Sequence, residues 1–188
     1  MKNGESKRLI LITGPPRTGK TTVLLKTAEK LRAQGYTVGG MTSQELREKD
    51  IRVGFEIRDY TSGRTGWLAH IRQPMGPRIG KYRVNVDGLN SIGVTAMLKA
   101  LEDADIVLID EIGPMELCSE AFIEAVKEAA NSPKPVLATI HYHAQNQLIK
   151  QIKSRKDADM IEVTLENRSK LPDLVTNKAI DLNKGNLS

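Results

Sequence analysis

The sequence predicts an α/β fold built on a mostly parallel β-sheet. Short apolar runs, the pattern of buried strands, alternate with longer stretches in which apolar residues recur at helical spacing. This alternation implies right-handed crossovers that place helices on both faces of the sheet. The first apolar run also ends at a Gly-Pro-Pro turn that leads directly into a helical pattern. Ligands of such sheets bind at the carboxyl ends of the strands, so polar residues that follow strands are the candidates for function.

Length and composition indicate a single domain over residues 1–188. Apolar residues make up 39% of the chain and charged residues 27%, as in ordinary folded proteins. The single cysteine, Cys118, has no partner for an internal disulfide. The apolar run before Gly14 is shorter than the roughly 7–15 residues of a signal core. We therefore expect a cytoplasmic protein without a membrane partner, and we favour a monomer.

The first half of the chain predicts one strand and helix, followed by β-rich segments. Residues 8–13 form the first strand, and the helix predicted for 20–34 ends before Gly35. From 37 to 86 the pattern changes to short β-rich pieces, VGFEIRDY, GWLAHI and KYRVNV, separated by Gly, Ser and Pro turns. We interpret these pieces as antiparallel hairpins inserted after the second strand, at about 42–86.

The α/β alternation resumes after residue 86. In chain order it predicts a helix over 91–102, a strand over 105–109, a helix over 118–130, a strand over 136–140, a helix over 145–154 and a strand over 160–165. The basic run Lys150–Lys156 is expected on the polar, solvated face of the last helix, opposite Leu148, Ile149 and Ile152. The tail after Ile180 is expected to be frayed.

A phosphate-binding loop joins the first strand to the first helix. The segment GPPRTGKT fits the pattern G-x-x-x-x-G-K-[ST] in the strand-to-helix context that this motif requires. Its glycines let successive backbone N–H groups converge on phosphate, and the helix dipole favours negative charge. We expect Lys20 to act on the β- and γ-phosphates and the Thr21 hydroxyl to bind magnesium. The predicted nucleotide-binding residues of this segment are Gly14, Pro15, Pro16, Arg17, Thr18, Gly19, Lys20, Thr21 and Thr22.

The apolar strand DIVLI ends in two adjacent carboxylates, Asp110 and Glu111. In a parallel sheet this end lies beside the phosphate loop, where two negative charges need a cation. We expect Asp110 to join Thr21 at the magnesium ion, and Glu111 to orient and help deprotonate an attacking water. Lys20 and Glu111 are therefore the predicted catalytic residues, and both carboxylates count among the nucleotide-binding residues. A polar residue at the end of the strand over 136–140 would also help hold that water, and the candidates are Thr139, His141 and His143.

The sequence argues against guanine-specific recognition. Asp110-Glu-Ile-Gly113 contains the D-x-x-G of switch GTPases, and Asn177-Lys-Ala-Ile-Asp181 looks like their N-K-x-D motif. The second match has one residue too many before Asp181, which displaces the carboxylate that would read guanine. The glutamate directly after Asp110 favours the water-activating class of phosphate-loop enzymes.

Beyond these motifs, the chain resembles the nucleoside-triphosphatase family that includes the human cancer-related nucleoside triphosphatase and its thermophile counterparts. The resemblance runs from GPPRTGKTT through GFEI, SGRTG and YRVNV to DEIGPMEL with Phe122, and ends in the ENR..LPD..V stretch of 166–175. It covers nearly the whole chain. It implies a RecA-like P-loop NTPase fold of three layers and of the water-activating Glu class, with a mostly parallel sheet extended by antiparallel hairpins.

The same resemblance implies a magnesium-dependent hydrolase that converts ATP, GTP, CTP and UTP to the diphosphate and phosphate. It assigns nucleotide binding to the segment 14–21 and to the strand end at Asp110 and Glu111. One departure is Pro114, where the family often has lysine. A phosphate contact made by that lysine in relatives would be missing here.

Three further side chains are candidates for the nucleotide site. Asn167 and Arg168 are expected to flank the base, because a guanidinium plane stacks on any ring and loose base recognition agrees with the missing N-K-x-D motif. Arg64, in the SGRTG turn of the hairpins, is a candidate for an arginine finger.

Two other function classes remain open from the sequence. A nucleotide or small-molecule kinase would use the hairpins as an acceptor pocket, in which Arg58, Arg64 and Arg72 gather. A nucleotide-dependent RNA-binding module would draw on the net charge of +5, but aromatic residues for base stacking make up only 4% of the chain. We therefore do not expect nucleic acid as a partner.

Overall fold

The computed structural model describes residues 8–185, and nine strands within this range form one sheet. The strands are β1 (Leu9–Thr13), β2 (Val38–Glu48), β3 (Ile51–Asp59), β4 (Thr65–His70), β5 (Arg78–Ile79), β6 (Tyr82–Val84), β7 (Ile106–Ile112), β8 (Val136–Ile140) and β9 (Ala158–Glu162). Their order across the sheet is β5-β6-β4-β3-β2-β7-β8-β1-β9.

The described range contains six α-helices. They are α1 (Lys20–Ala33), α2 (Val86–Gly88), α3 (Thr95–Asp103), α4 (Glu120–Asn131), α5 (Gln147–Lys153) and α6 (Leu171–Gly185). A π-helical segment, Leu89–Val94, joins α2 to α3, and a short 3-10 turn, Glu116–Cys118, precedes α4. Side-chain oxygens of Ser119 and Asn146 accept backbone N–H bonds at the starts of α4 and α5.

The parallel half of the sheet consists of β2, β7, β8, β1 and β9. Each neighbouring pair in this half is parallel, so the carboxyl ends of all five strands meet at one edge. Since β8 lies between β1 and β7, the phosphate loop after β1 and the acidic end of β7 flank the end of β8. The predicted α/β fold, with a mostly parallel central sheet extended by antiparallel hairpins, is confirmed.

Helices cover both faces of this parallel half and create three layers. Ile10 and Ile12 of β1 pack into a core with α1 and α6, whereas Leu9 and Leu11 pack into a second core with α3, α4 and α5. The two-residue alternation of β1 thus sends successive side chains into opposite cores. All four side chains are buried, as expected for a strand covered on both faces.

The antiparallel half is built from β2, β3, β4, β6 and β5. Val38–Met41 of β2 pairs with β7, and the rest of the same strand continues outwards in a hairpin with β3. One face of these hairpins packs on the π-helical segment, where a Cβ on Gly66 would lie only 2.7 Å from Ile92 Cδ1. The strand β2 therefore belongs to both halves and connects them.

The end of the chain differs from the sequence expectation. The strand expected over 160–165 is β9, which stops at Glu162, and a helix that the periodicity analysis missed follows it. The tail after Ile180 was expected to be frayed, which is wrong for 181–185, because α6 continues to Gly185; residues 186–188 lie outside the described range. The helix is held by burial of Leu171, Val175 and Ala179 in the core beneath α1.

We expect Phe122→Ala to lower the free energy of unfolding by about 3–5 kcal/mol, because a fully buried aromatic side chain would leave a cavity between α4 and the sheet. Urea denaturation followed by circular dichroism measures the loss. Met75→Ala is the matched control: its side chain is 76% exposed, so a change within about 0.5 kcal/mol is expected. Equal losses in the two variants would contradict the core assignment.

Candidate active site

The phosphate loop connects β1 to α1 through a backbone that side chains would obstruct. Gly14 and Gly19 have φ angles of 138° and 102°, in the region that favours glycine, and Arg17 has a φ of 66°. A Cβ on Gly14 would lie 2.6 Å from the carbonyl oxygen of Val163, just after β9. The loop therefore passes too close to this neighbouring segment for a larger residue at position 14.

Lys20, the first residue of α1, reaches back across the loop. Its Nζ donates to the carbonyl oxygens of Gly14 at 3.1 Å and Pro15 at 3.3 Å. The ammonium group thus lies at the amino end of a 14-residue helix, where free N–H groups and the helix dipole already favour anions. Charge and backbone donors converge in the way that phosphate binding requires.

The other predicted residues of the loop lie at its surface. Thr18 is half-buried, and its Oγ1 donates to the Pro15 carbonyl at 2.9 Å, which closes the loop on itself. Exposed positions are Pro15, Pro16, Arg17 and Thr22. These side chains are therefore accessible to a bound ligand from solvent.

Asp110 is the buried centre of the site. Its Oδ1 accepts a hydrogen bond from Thr21 Oγ1 at 3.2 Å and a very short one from Thr139 Oγ1. Its Oδ2 is buried and has no hydrogen-bond partner within residues 8–185. Burial raises the pKa of Asp110 to about 6, although both threonine hydroxyls oppose the shift. Asp110 therefore stays mostly ionised at neutral pH and offers an unpaired carboxylate oxygen.

Glu111 is half-buried next to Asp110, at the point where the pairing of β7 with β8 is interrupted. Burial raises the pKa of its carboxyl, and the charges of Lys20 and Lys153 act in the opposite direction. A carboxylate with a raised pKa is a stronger base. Glu111 is thus a candidate base, and the positive charges of Lys20 and Lys153 act on its carboxylate.

The three polar candidates for holding the water lie in β8 and directly after it, and the structure brings two of them to the site. Thr139 bonds to Asp110, as described above, and His141 lies within the electrostatic reach of Lys20. Burial lowers the pKa of His141, and neighbouring cations lower it further. The exposed ring of His143 instead packs edge-on against Tyr142.

Sequence reasoning missed a third carboxyl, Glu116, in the 3-10 turn that follows β7. Its side chain is 5% exposed, and an oxygen of it lies 3.1 Å from where a Cβ on Gly113 would stand. Burial, together with the nearby negative charges of Glu111 and Asp110, raises its pKa to about 8, so the group is mostly neutral at pH 7. The DEIGPMEL segment of the family resemblance contains this residue, but nothing local in the sequence predicts that its carboxyl is buried.

The side chain of Lys153 does not lie on the solvated helix face that the sequence predicted for Lys150–Lys156. Leu148, Ile149 and Ile152 of α5 are buried as predicted. The Lys153 side chain, however, turns inwards: its Nζ donates to the carbonyl oxygens of His141 and Tyr142. The prediction of a solvated face is therefore wrong for this residue.

Arg168 lies close to Gly19, at the start of α1. Its Cδ is 3.7 Å from where a Cβ on Gly19 would stand, and its side chain is exposed. Asn167 has a structural role: its side-chain oxygen accepts from Thr164 N at 2.8 Å, and its Nδ2 donates to Glu162 O at 2.9 Å. Asn167 shapes the turn after β9, and this turn carries Arg168 to the phosphate loop.

The three hairpin arginines do not gather in an acceptor pocket. The turn with Arg64 lies next to Arg58, and Arg64 itself reaches the Ser91 carbonyl at 3.5 Å. Arg72 lies towards the opposite end of the hairpins, paired with Glu48. The predicted gathering of these three arginines in one pocket is therefore wrong.

Arg64 is also remote from the phosphate loop. It sits in the turn before β4, and five strand spacings separate β4 from β1 in the sheet. At about 4.8 Å per spacing, the separation is on the order of 24 Å. The side chain therefore cannot serve as an arginine finger within its own chain.

The N-K-x-D-like segment is part of a helix and contributes no base-reading loop. Asn177 and Lys178 lie within α6, and Lys178 Nζ is 2.6 Å from an Asp159 carboxylate oxygen. Guanine recognition by this N-K-x-D-like segment is thereby excluded, as the sequence predicted.

Pro114 is exposed in the turn after β7, where its carbonyl accepts from Cys118 Sγ at 3.4 Å.

Within residues 8–185 there is no group of three or more His, Cys, Asp or Glu side chains arranged to hold a metal ion. A metal held largely by phosphate and water needs fewer protein ligands, and the chemistry of Thr21 and Asp110 fits that kind of site.

Within residues 8–185 there is no helix with the length and apolar character needed to cross a membrane.

Comparison with known proteins gives consistent matches over most of the chain. The model of a family described as NTPase matches residues 9–176. The nucleoside-triphosphatase THEP1 of Thermofilum pendens is 50% identical over 163 residues, which cover 86% of this chain and 90% of that protein. The protein of the same name from Methanosarcina acetivorans is 46% identical over 170 residues, covering 90% of this chain and 95% of that protein.

Two solved structures share the fold. The crystal structure of THEP1 from the hyperthermophile Aquifex aeolicus superposes with a TM-score of 0.80 at 31% identity, over 89% of this chain and 96% of that one. The solution structure of a human cancer-related nucleoside triphosphatase gives 0.75 at 33% identity, over 90% and 96%. The predicted resemblance and the predicted phosphate-loop fold are confirmed.

We expect Gly14→Ala to weaken binding of a magnesium complex of a non-hydrolysable ATP analogue at least about tenfold, because the added methyl group would push the loop away from Val163. Calorimetry measures the affinity. Gly35→Ala is the matched control: Gly35 also has a positive φ, 89°, but nothing lies within 4 Å of its added Cβ. It should lose about 1 kcal/mol of stability and no affinity. Retained affinity in Gly14→Ala would contradict the assigned loop geometry.

Proposed function

Because this chain belongs to the nucleoside-triphosphatase family, we propose that it hydrolyses ATP, GTP, CTP and UTP to the diphosphate and inorganic phosphate, with Mg²⁺ as cofactor. The observation that carries the proposal is the 3.2 Å hydrogen bond from Thr21 Oγ1 to Asp110 Oδ1. It joins the phosphate loop to the acidic strand end, the two parts that triphosphate hydrolysis needs in one place.

The loop and Lys20 bind the triphosphate in this proposal. Backbone N–H groups between Gly14 and Thr21 donate to phosphate oxygens, and the Lys20 ammonium exchanges its two carbonyl contacts for the β- and γ-phosphates. Such donors neutralise charge that builds up on the phosphate oxygens during the transfer.

Thr21 and Asp110 would hold the magnesium ion. The buried Oδ2 of Asp110, which has no partner among the described residues, is the hard oxygen that this cation or a water bound to it prefers. When bound, magnesium neutralises the negative charge that the β- and γ-phosphates share. Thr139 fixes the orientation of the Asp110 carboxylate from the other side.

Glu111 activates the water. The water oxygen forms the new bond to the γ-phosphorus, and the bond from that phosphorus to the β–γ bridging oxygen breaks. The diphosphate leaves with the bridging oxygen, while the proton of the water passes to the Glu111 carboxylate. The burial of Glu111, which raises its pKa, supports this role.

Arg168 supports the nucleoside without selecting a base. Its side chain lies over Gly19 at the start of α1, where a guanidinium plane can stack on purine and pyrimidine rings alike. We place the enzyme in the cytoplasm, as its single cysteine suggests.

We expect Glu111→Gln to lower kcat at least about a hundredfold with little change in affinity for the nucleotide, because the amide cannot accept the proton. Lys20→Ala should lose at least as much activity, together with affinity for the triphosphate. Phosphate release from each triphosphate with magnesium measures both. The exposed Glu128→Gln on α4 is the control and should match the wild type. Full activity in Glu111→Gln would refute its role as base.

Replacing Arg168 by alanine should raise KM for all four nucleoside triphosphates by a similar factor, about three- to tenfold, because stacking does not depend on the base. Hydrolysis of inorganic tripolyphosphate, which has neither base nor ribose, should be unaffected. Steady-state kinetics compare the five substrates, with the exposed Lys170→Ala as control. An effect confined to one nucleotide would argue for base-specific recognition instead.

A further inference from the structure

The Lys153 ammonium group donates hydrogen bonds to the backbone next to the site. Lys153 is the last residue of α5, and its Nζ donates to the carbonyl oxygen of His141 at 2.8 Å and to that of Tyr142 at 3.0 Å. An ammonium group has three N–H donors, so these carbonyls use two of them. The carbonyls belong to the segment directly after β8, between the phosphate loop and the acidic end of β7.

The backbone that Lys153 fixes also orients the His141 ring. His141 N donates to the Ile112 carbonyl at 3.1 Å, which ties the segment to β7. The Ala144 N–H donates to His141 Nδ1 at 3.0 Å. A neutral imidazole whose Nδ1 accepts carries its proton on Nε2, so His141 is a hydrogen-bond donor of fixed orientation.

Lys153 also shares its surroundings with the catalytic groups. Glu111 and His141 are each within the electrostatic reach of both Lys20 and Lys153. The interaction between Lys153 and Glu111 is attractive, and the partial burial of both groups weakens its screening by water. The positive charge of Lys153 therefore acts on the same two side chains as that of Lys20.

We propose that Lys153 is a positioning residue for hydrolysis: it fixes the segment that carries His141 and holds positive charge beside Glu111. The inference rests on the proposed function. Lys153 thereby supplies, from within this chain, a positive charge that acts on the carboxylate assigned to the attacking water. Arg64 is too remote to take that role.

The test separates charge from hydrogen bonding. Lys153→Gln keeps a donor for the carbonyls and removes the charge, whereas Lys153→Arg keeps both. Lys150→Gln, an exposed lysine of the same helix, is the matched control. We measure kcat and KM for magnesium ATP, the affinity for a non-hydrolysable analogue and the unfolding temperature.

We expect Lys153→Gln to lower kcat on the order of 10- to 100-fold with analogue affinity within about twofold of the wild type. Lys153→Arg should recover most of this loss, and Lys150→Gln should behave as the wild type. A merely structural role would instead lower the unfolding temperature, kcat and analogue affinity together.

Three results overturn the inference. They are an unchanged kcat in Lys153→Gln, a parallel loss of kcat and analogue affinity, and a loss in Lys153→Arg as deep as in Lys153→Gln. If Lys153→Gln does not fold, Lys153→Arg is compared with the wild type instead. The inference then requires a near wild-type kcat in Lys153→Arg, and a large loss of kcat overturns it. If the wild type released no phosphate from any nucleotide, the proposed function itself would fail. If Glu111→Gln were inactive while Lys153→Gln had a normal kcat, only the role of Lys153 would be refuted.

Discussion

The site depends on one buried carboxylate, Asp110, and on the hydroxyl groups that bond to it. Thr21 from α1 and Thr139 from β8 donate to the same Asp110 oxygen, so the carboxylate links three elements of the fold. An ionised group this deeply buried is costly without partners. The parallel order β7-β8-β1 supplies those partners, because it brings the ends of these strands to one edge. The remaining groups of the site are arranged around this link.

The two halves of the sheet contribute unequally to this arrangement. The parallel half positions the phosphate loop, Asp110, Glu111 and His141, whereas the hairpins hold their arginines in local contacts such as Arg72 with Glu48. The halves still depend on each other, because β2 pairs with β7 on one side and continues as the first arm of the hairpins. A packing change in the hairpins can therefore reach the acidic strand through β2.

The sequence predicted the parts of the molecule that are local in the chain. The loop Gly14–Thr21 and the Asp110-Glu111 pair are contiguous motifs, and β1 and α1 follow from periodicity alone. The contributions of Glu116 and Lys153 depend on tertiary placement: an isolated glutamate in a turn and a lysine within a basic run carry no local signal of burial. The omission of α6 has no such physical cause, because Leu171, Val175 and Ala179 recur at helical spacing in the sequence and pack beneath α1.

Charge balance explains why the site needs these unpredicted residues. At pH 7, Asp110, with its pKa raised to about 6, is mostly ionised, while Glu116, with its pKa raised to about 8, is mostly protonated. The positive charges of Lys20 and Lys153 act on Glu111 before any ligand arrives. A triphosphate adds negative charge, and an ionised Glu116 would repel it. The burial of Glu116 therefore keeps one negative charge out of the site, and a divalent cation would balance part of the charge of the triphosphate.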